Sequence, residues 1–141
     1  MIGFPRFRQA AALPFDSSHP QGRFLLITSL GTRRWILPKG NIEPGLTARE
    51  SAEFEAFEEA GVIGRVAGSS IGTFTYDKTD DGEPMTHHVK VFPLEVRQML
   101  ERYPDSDLRK RQWMTPSEAA AAVDEQALKD LLVRFSEEYA G

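Results

Sequence analysis

The sequence predicts an α/β sandwich, with a mixed β-sheet held between helices. Three observations predict it: a strongly capped helix in mid-chain, short β-rich runs on both sides of it, and two helical segments after the last of those runs. In chain order, Phe7 to Phe15 reads as a first strand and Arg23 to Leu30 as a stronger one, joined through the turn-forming Ser17-Ser18-His19-Pro20-Gln21-Gly22. Gly31 to Arg34 turns the chain into a short strand at Trp35 to Leu37. The helix then runs from Thr47 to Ala60. Ile71 to Tyr76 and Thr86 to Val96 read as strands flanking an acidic hairpin loop, Lys78 to Pro84, and Pro93 marks the end of the second as an edge or bulge. Arg109 to Met114 is a last short strand. Thr115-Pro116-Ser117-Glu118 is a capping signal with proline at the first helical position, and Asp124 is the expected cap of a final helix reaching about Tyr139. With 141 residues and no linker or repeat, a single domain over 1–141 is expected.

The central helix has both ends written into it. Thr47 and Glu50 stand three residues apart, as a capping box requires, and Gly61 suits the left-handed position after the last turn. Ala52, Ala56 and Ala60 recur every four residues, a small-residue stripe that lets a helix approach a sheet closely. Ahead of it, Pro38-Lys39-Gly40 and Glu43-Pro44-Gly45 read as a rigid loop whose backbone groups can meet a ligand.

The chemistry lies in Glu55, Glu58 and Glu59. At about 100° per residue the three share one side of the helix, so their carboxylates repel unless a cation sits between them. Hard oxygen donors suit Mg²⁺ or Mn²⁺, which usually keep waters and share their remaining positions with substrate phosphates. A phosphate compound is therefore the expected substrate class. Glu50 is accounted for by capping, and Glu53 projects away from the cluster.

The stretch from Gly40 to Val62 resembles the Nudix box: Gly, five residues, Glu, seven residues, then Arg-Glu-apolar-any-Glu-Glu-any-Gly-apolar. Gly40, Glu55, Ala56, Glu58, Glu59, Gly61 and Val62 fill their places; Leu46 stands where the family has Glu and Phe54 where it has Arg. The double departure reads as an ion pair exchanged for an apolar contact between Leu46 and Phe54, which is often neutral when both partners change. Trp35 to Gly40, Glu43-Pro44, Glu58 to Val62, Arg109 to Trp113 and Ser117-Glu118-Ala119 extend the resemblance toward the diphosphoinositol and diadenosine polyphosphate hydrolase branch.

That resemblance implies a Nudix-like α/β/α sandwich and a metal-dependent hydrolase of a phosphoanhydride bond in a small molecule, a nucleoside or inositol diphosphate linked to another moiety. It implies Glu55, Glu59 and the carbonyl of Gly40 as metal ligands and Glu58 as the base, with Asp80, Asp81 or Glu83 of the hairpin as alternatives. Arg8, Arg34, Lys39 and Arg109 are the substrate-binding candidates by alignment and charge. Two other readings stay open: a house-cleaning nucleotide or ADP-ribose pyrophosphatase, and a catalytically silent ligand-binding module.

A net charge of −4 argues against a nucleic-acid polymer as partner. No apolar run is long enough to span a bilayer, and the absence of cysteine excludes thiolate chemistry while fitting a reducing cytoplasm. His87-His88 reads as ordinary strand surface. Trp35 fits a core anchor or a base-stacking platform equally well.

Overall fold

The computed structural model describes residues 8–66 and 68–140, so the expected strand start at Phe7 lies outside it. Within those residues eight strands form one sheet: β1 (Gln9–Asp16), β2 (Arg23–Thr28), β3 (Trp35–Ile36), β4 (Lys39–Asn41), β5 (Val62–Val66), β6 (Gly72–Asp80), β7 (Glu83–Met99) and β8 (Arg111–Met114). The helices are α1 (Ala48–Glu55), α2 (Pro116–Ala122) and α3 (Gln126–Ala140). The strand path is β3-β2-β1-β7-β5, with β4 added to β1, β6 to β7 and β8 to β2. β1 and β7 run parallel, from Gln9 opposite Val89 to Phe15 opposite Glu95, against antiparallel neighbours, so the sheet is mixed as expected.

Alternation along β1 divides the core in two. Ala11, Leu13 and Phe15 face Ala119 of α2 and Leu128, Leu131 and Leu132 of α3. Ala10 and Ala12 face the other way, toward Ala52, Ala56 and Ala60. Helices on both faces make the α/β/α sandwich.

The capping box forms in full: Thr47 Oγ1 accepts the Glu50 N–H at 3.1 Å, and Glu50 Oε1 accepts the Thr47 N–H at 2.9 Å. Departing from the expected regular helix, Ala56–Ala60 form a π turn. The alanine spacing explains it. In an α-helix residues four apart drift by about 40°, whereas a π turn holds more than four residues and drifts the other way. One step of each keeps Ala52, Ala56 and Ala60 aligned, and all three are fully buried. Gly61 ends the turn at φ 65°, the left-handed cap expected of it. Arg111 closes that end by donating to the carbonyls of Ala60 at 2.8 Å and Leu100 at 2.7 Å, a cation where the helix dipole favours one.

Two strands are absent from the sequence reading, β4 and β5; the Pro38-Lys39-Gly40 segment is partly strand, not loop. The hairpin is also tighter than expected. Lys78 and Thr79 pair with Met85 and Pro84, leaving Asp81-Gly82 as the turn at φ 50° and 80°. Pro93 is not at an edge. β6 accompanies β7 only as far as Val91, and β5 takes over at Leu94, so the proline sits where one partner gives way to the next. Pro14 repeats the device in β1, between the last rung to β4 and the first to β2. Asp124 is not the cap of α3: the helix begins two residues later, and the Asp124 carboxylate accepts from Arg34. None of the described helices is long and apolar enough to cross a membrane.

Candidate functional site

β4 is the hub of the site. Neighbouring residues in a strand point to opposite faces. Gly40 pairs with Ala10 and faces the α1 side, while Lys39 pairs with Ala11 and faces the other. On the α1 side the Glu55 carboxyl packs directly on Gly40, where any Cβ would collide with its oxygens. The Pro38 carbonyl accepts from Ala12 and the Arg8 carbonyl from Ile42, at 3.0 and 2.8 Å. By ladder alternation the Gly40 carbonyl between them bonds to Ala10 and keeps one lone pair.

Glu55 is 9% exposed. Burial first, then the neighbouring Glu59 and Glu58, push its carboxyl up to about 7. Glu59 is better provided for: Oε1 accepts the Lys39 N–H at 3.0 Å and Oε2 accepts Arg109 Nη2 at 3.1 Å. Burial still raises it above the ordinary range, against the pull of Arg109. Arg109 is itself fixed on three sides, with Nε donating to Asp105 Oδ2 at 2.8 Å and Nη1 to the Thr28 carbonyl at 3.1 Å.

Among the described residues no three acids or histidines converge into a self-sufficient metal cage. The donor set is two largely buried carboxyls, each raised first by burial, and a carbonyl with a spare lone pair. Such a set fits a hard divalent cation that completes its shell with water and substrate oxygens.

On the far side of β4 lies a cavity of about 510 Å³, lined among others by Lys39, Glu59, Arg109, Arg34, Tyr76 and Lys78. Glu59 thus belongs both to the acid pair and to the cavity wall. Burial holds the Lys39 ammonium below its usual range, with Glu59 pulling the other way. Arg34 lines the cavity while bound to Asp124 at 2.9 Å and Glu125 at 3.6 Å, and Asp124 raises its pKa. The cavity therefore gathers Lys39, Arg34 and Arg109 of the four expected cationic residues, two of them already engaged by carboxylates. Arg8 is exposed ahead of β1 and does not line it.

Glu58 is half-buried and outside the cavity; it is close enough to raise Glu55, and its carbonyl accepts the Asp105 N–H at 3.0 Å. Asp81 and Glu83 are exposed and away from the cavity, and the Asp80 side chain lies outside the described ones. The hairpin acid that does reach the cavity is Asp77, which accepts from Thr86 Oγ1 at 2.8 Å. Sequence reasoning missed Tyr76, Lys78 and Gln9. The available signal was period two along β6, which sets Tyr76 and Lys78 on the face of the core residue Phe74. His87 is more than ordinary surface, since its ring stacks on Tyr76. Trp35 packs against the core. Leu46 and Phe54 line one shallow groove of about 380 Å³ together with Ile63, and both are exposed.

The family model of the NUDIX domain matches residues 5–135. Nudix hydrolase 21, chloroplastic, of Arabidopsis thaliana is 35% identical over 100 residues, 71% of this chain and 49% of that protein. Diphosphoinositol polyphosphate phosphohydrolase 3-alpha of Mus musculus is 34% identical over 114 residues, 79% of this chain and 66% of that one. The chain therefore spans from about half to just under two thirds of the length of these relatives. Among solved structures, a binary complex of a C. elegans Ap4A hydrolase superposes with a TM-score of 0.66 at 22% identity, covering 94% of this chain and 97% of that one, which shows the shared fold.

Proposed function

The chain belongs to the Nudix family, and from that premise we propose a divalent-metal-dependent hydrolase that cleaves a phosphoanhydride bond in a nucleoside or inositol diphosphate linked to another moiety. The observation that carries this reading is Glu59, at once the partner of Glu55 and a wall of a cavity lined with cations. Nudix hydrolases generally use divalent metal ions. Here Glu55, Glu59 and the Gly40 carbonyl would hold one, with Mg²⁺ or Mn²⁺ suited to these donors. When bound, the ion supplies neutralisation of phosphate oxygens and a more acidic water.

The chain's own side chains supply the rest. Lys39 offers a desolvated positive charge to the phosphates, and Arg109 holds Glu59 in place from behind. Glu58, outside the cavity and beside Glu55, takes the proton of the attacking water. Glu58→Gln should then lower turnover and erase the acidic limb of the rate profile; an unaltered profile would move the base to the hairpin, where Asp77 is placed for it. The deciding experiment is hydrolysis of a phosphoanhydride panel, covering diphosphoinositol polyphosphates, dinucleoside polyphosphates, ADP-ribose and nucleoside triphosphates, with each metal tested separately. Turnover of none of them with either ion would sink the reading. Leu46 and Phe54, exposed where the family has Glu and Arg, favour a second one, a binding module on the same fold. Retained affinity without turnover in that panel is its signature.

A further inference from the structure

Lys39 ends in four rotatable bonds and an ammonium that, among the described residues, forms no ion pair at bonding distance. Its Nζ instead stands over the ring of Tyr76, 4.8 Å from the centroid. A ring quadrupole attracts a cation without cancelling its charge, whereas a carboxylate in the same place would neutralise it. A lysine held in this way keeps its charge for an incoming anion.

The tyrosine is itself fixed from two directions. Tyr76 lies opposite His87 in the β6–β7 ladder, and the two rings stack at 4.9 Å with 15° between their planes. Its hydroxyl donates to Gln9 Oε1 at 2.6 Å. Gln9 Nε2 in turn donates to Asn41 Oδ1 at 3.2 Å. Asn41 is two residues beyond Lys39 in β4, so the two share a face of that strand. The contacts close a circuit from Lys39 through Tyr76, Gln9 and Asn41 back to β4. A side chain rooted on β6 is thereby referenced to the strand that carries the lysine, across β7 and β1.

We propose that Tyr76 is a positioning residue for Lys39, holding the ammonium over its ring so that it faces a phosphate group in the cavity. The inference rests on reading the cavity as a phosphate site. It assigns Tyr76 no contact with the reacting atoms, and it makes the ring, not the hydroxyl, the part that acts.

The test is calorimetric binding of inorganic tripolyphosphate in Mg²⁺ buffer to the full chain and its variants, with KM and kcat measured on any panel compound that is turned over. Tyr76→Leu should weaken binding roughly five- to tenfold, with the loss appearing in KM and kcat nearly unchanged. Tyr76→Phe, which keeps the ring and gives up the bond to Gln9, should recover most of the affinity. In a Lys39→Met background, itself weakened, Tyr76→Leu should add less than about twofold, because the group it positions is gone. Equal losses in both backgrounds would show a merely structural tyrosine and overturn the proposal, as would a Tyr76→Phe variant as weak as Tyr76→Leu. If Lys39→Met weakens binding and Tyr76 does not couple to it, only this inference falls. If the wild type binds no tripolyphosphate and turns over nothing, the phosphate reading falls and takes the inference with it.

Discussion

On its sheet side the box helix buries a carboxyl, Glu55 at 9% exposure against Gly40, where packing alone would favour an apolar group. On its outer side Phe54 stands 48% exposed, and Leu46 in the loop just ahead of the helix 38%, where solvent would favour charge. One helix thus carries two inversions of the ordinary amphipathic rule, and they differ in kind. The buried acid has a glycine shaped to it, a second carboxyl beside it and an arginine network behind that. The exposed pair has only a shallow groove. Buried polarity with a supporting structure is what a functional site looks like, while exposed apolar groups without one are common on any surface.

The largest effect expected from this contrast is on turnover. Glu55→Gln and Glu59→Gln should each lower the proposed metal-dependent hydrolysis by orders of magnitude, and Glu55→Gln should also abolish the rise in melting temperature expected of the wild type on adding Mg²⁺. Near-normal rates in either variant would erase the distinction between the two sides. The next largest effect is on folding. Arg109→Met leaves Glu59 and Asp105 facing each other with no cation between them, and should cost about 3 kcal/mol in a denaturant titration.

A smaller effect tests the strain in the metal-free acid pair. The Glu55 carboxyl is raised in the folded state from an ordinary 4.5 to about 7, so the fold holds that proton more tightly than the unfolded chain does. Its contribution to stability is complete below about pH 4.5 and is lost as the pH climbs through about 7. At pH 8 and without metal, Glu55→Gln should therefore be more stable than the wild type by about 1–3 kcal/mol, with the gap closing toward pH 4.5. A gap independent of pH would contradict this. The smallest effect belongs to the outer side. With both residues exposed, Leu46→Glu and Phe54→Arg should each shift stability by less than about 0.5 kcal/mol and couple by no more than that. Coupling above about 1 kcal/mol would restore the packed apolar pair that the sequence suggests.

What was legible in the sequence was local. The capping box, the Gly61 stop and the alanine stripe each depend on residues within a few positions of one another, and the structure contains all of them. Glu55 and Glu59 were recognisable because the box sets their spacing. β4 and β5 were not, since strands of three and five residues, each with a glycine beside a cation, exist only by pairing with β1 and β7. The grip on Arg109 was equally hidden: it donates to the carbonyl of Thr28, 81 positions away. The cavity draws on β1, β4, β6 and the loop after β2, so period two along β6 could set Tyr76 and Lys78 on one face but not show what that face meets.

The parallel pairing of β1 with β7 also dictates when the site can exist. Gln9 faces Val89 across that ladder, 80 residues further along the chain, and closing so long a loop precedes any reward from the contact. During synthesis, β1 emerges well before its central neighbour, and the box helix emerges with only part of the sheet to lie on. Glu59 waits longer still, until Arg109 has been made. A nascent chain stopped short of that point holds every residue of the box but leaves Glu59 without the arginine that fixes it.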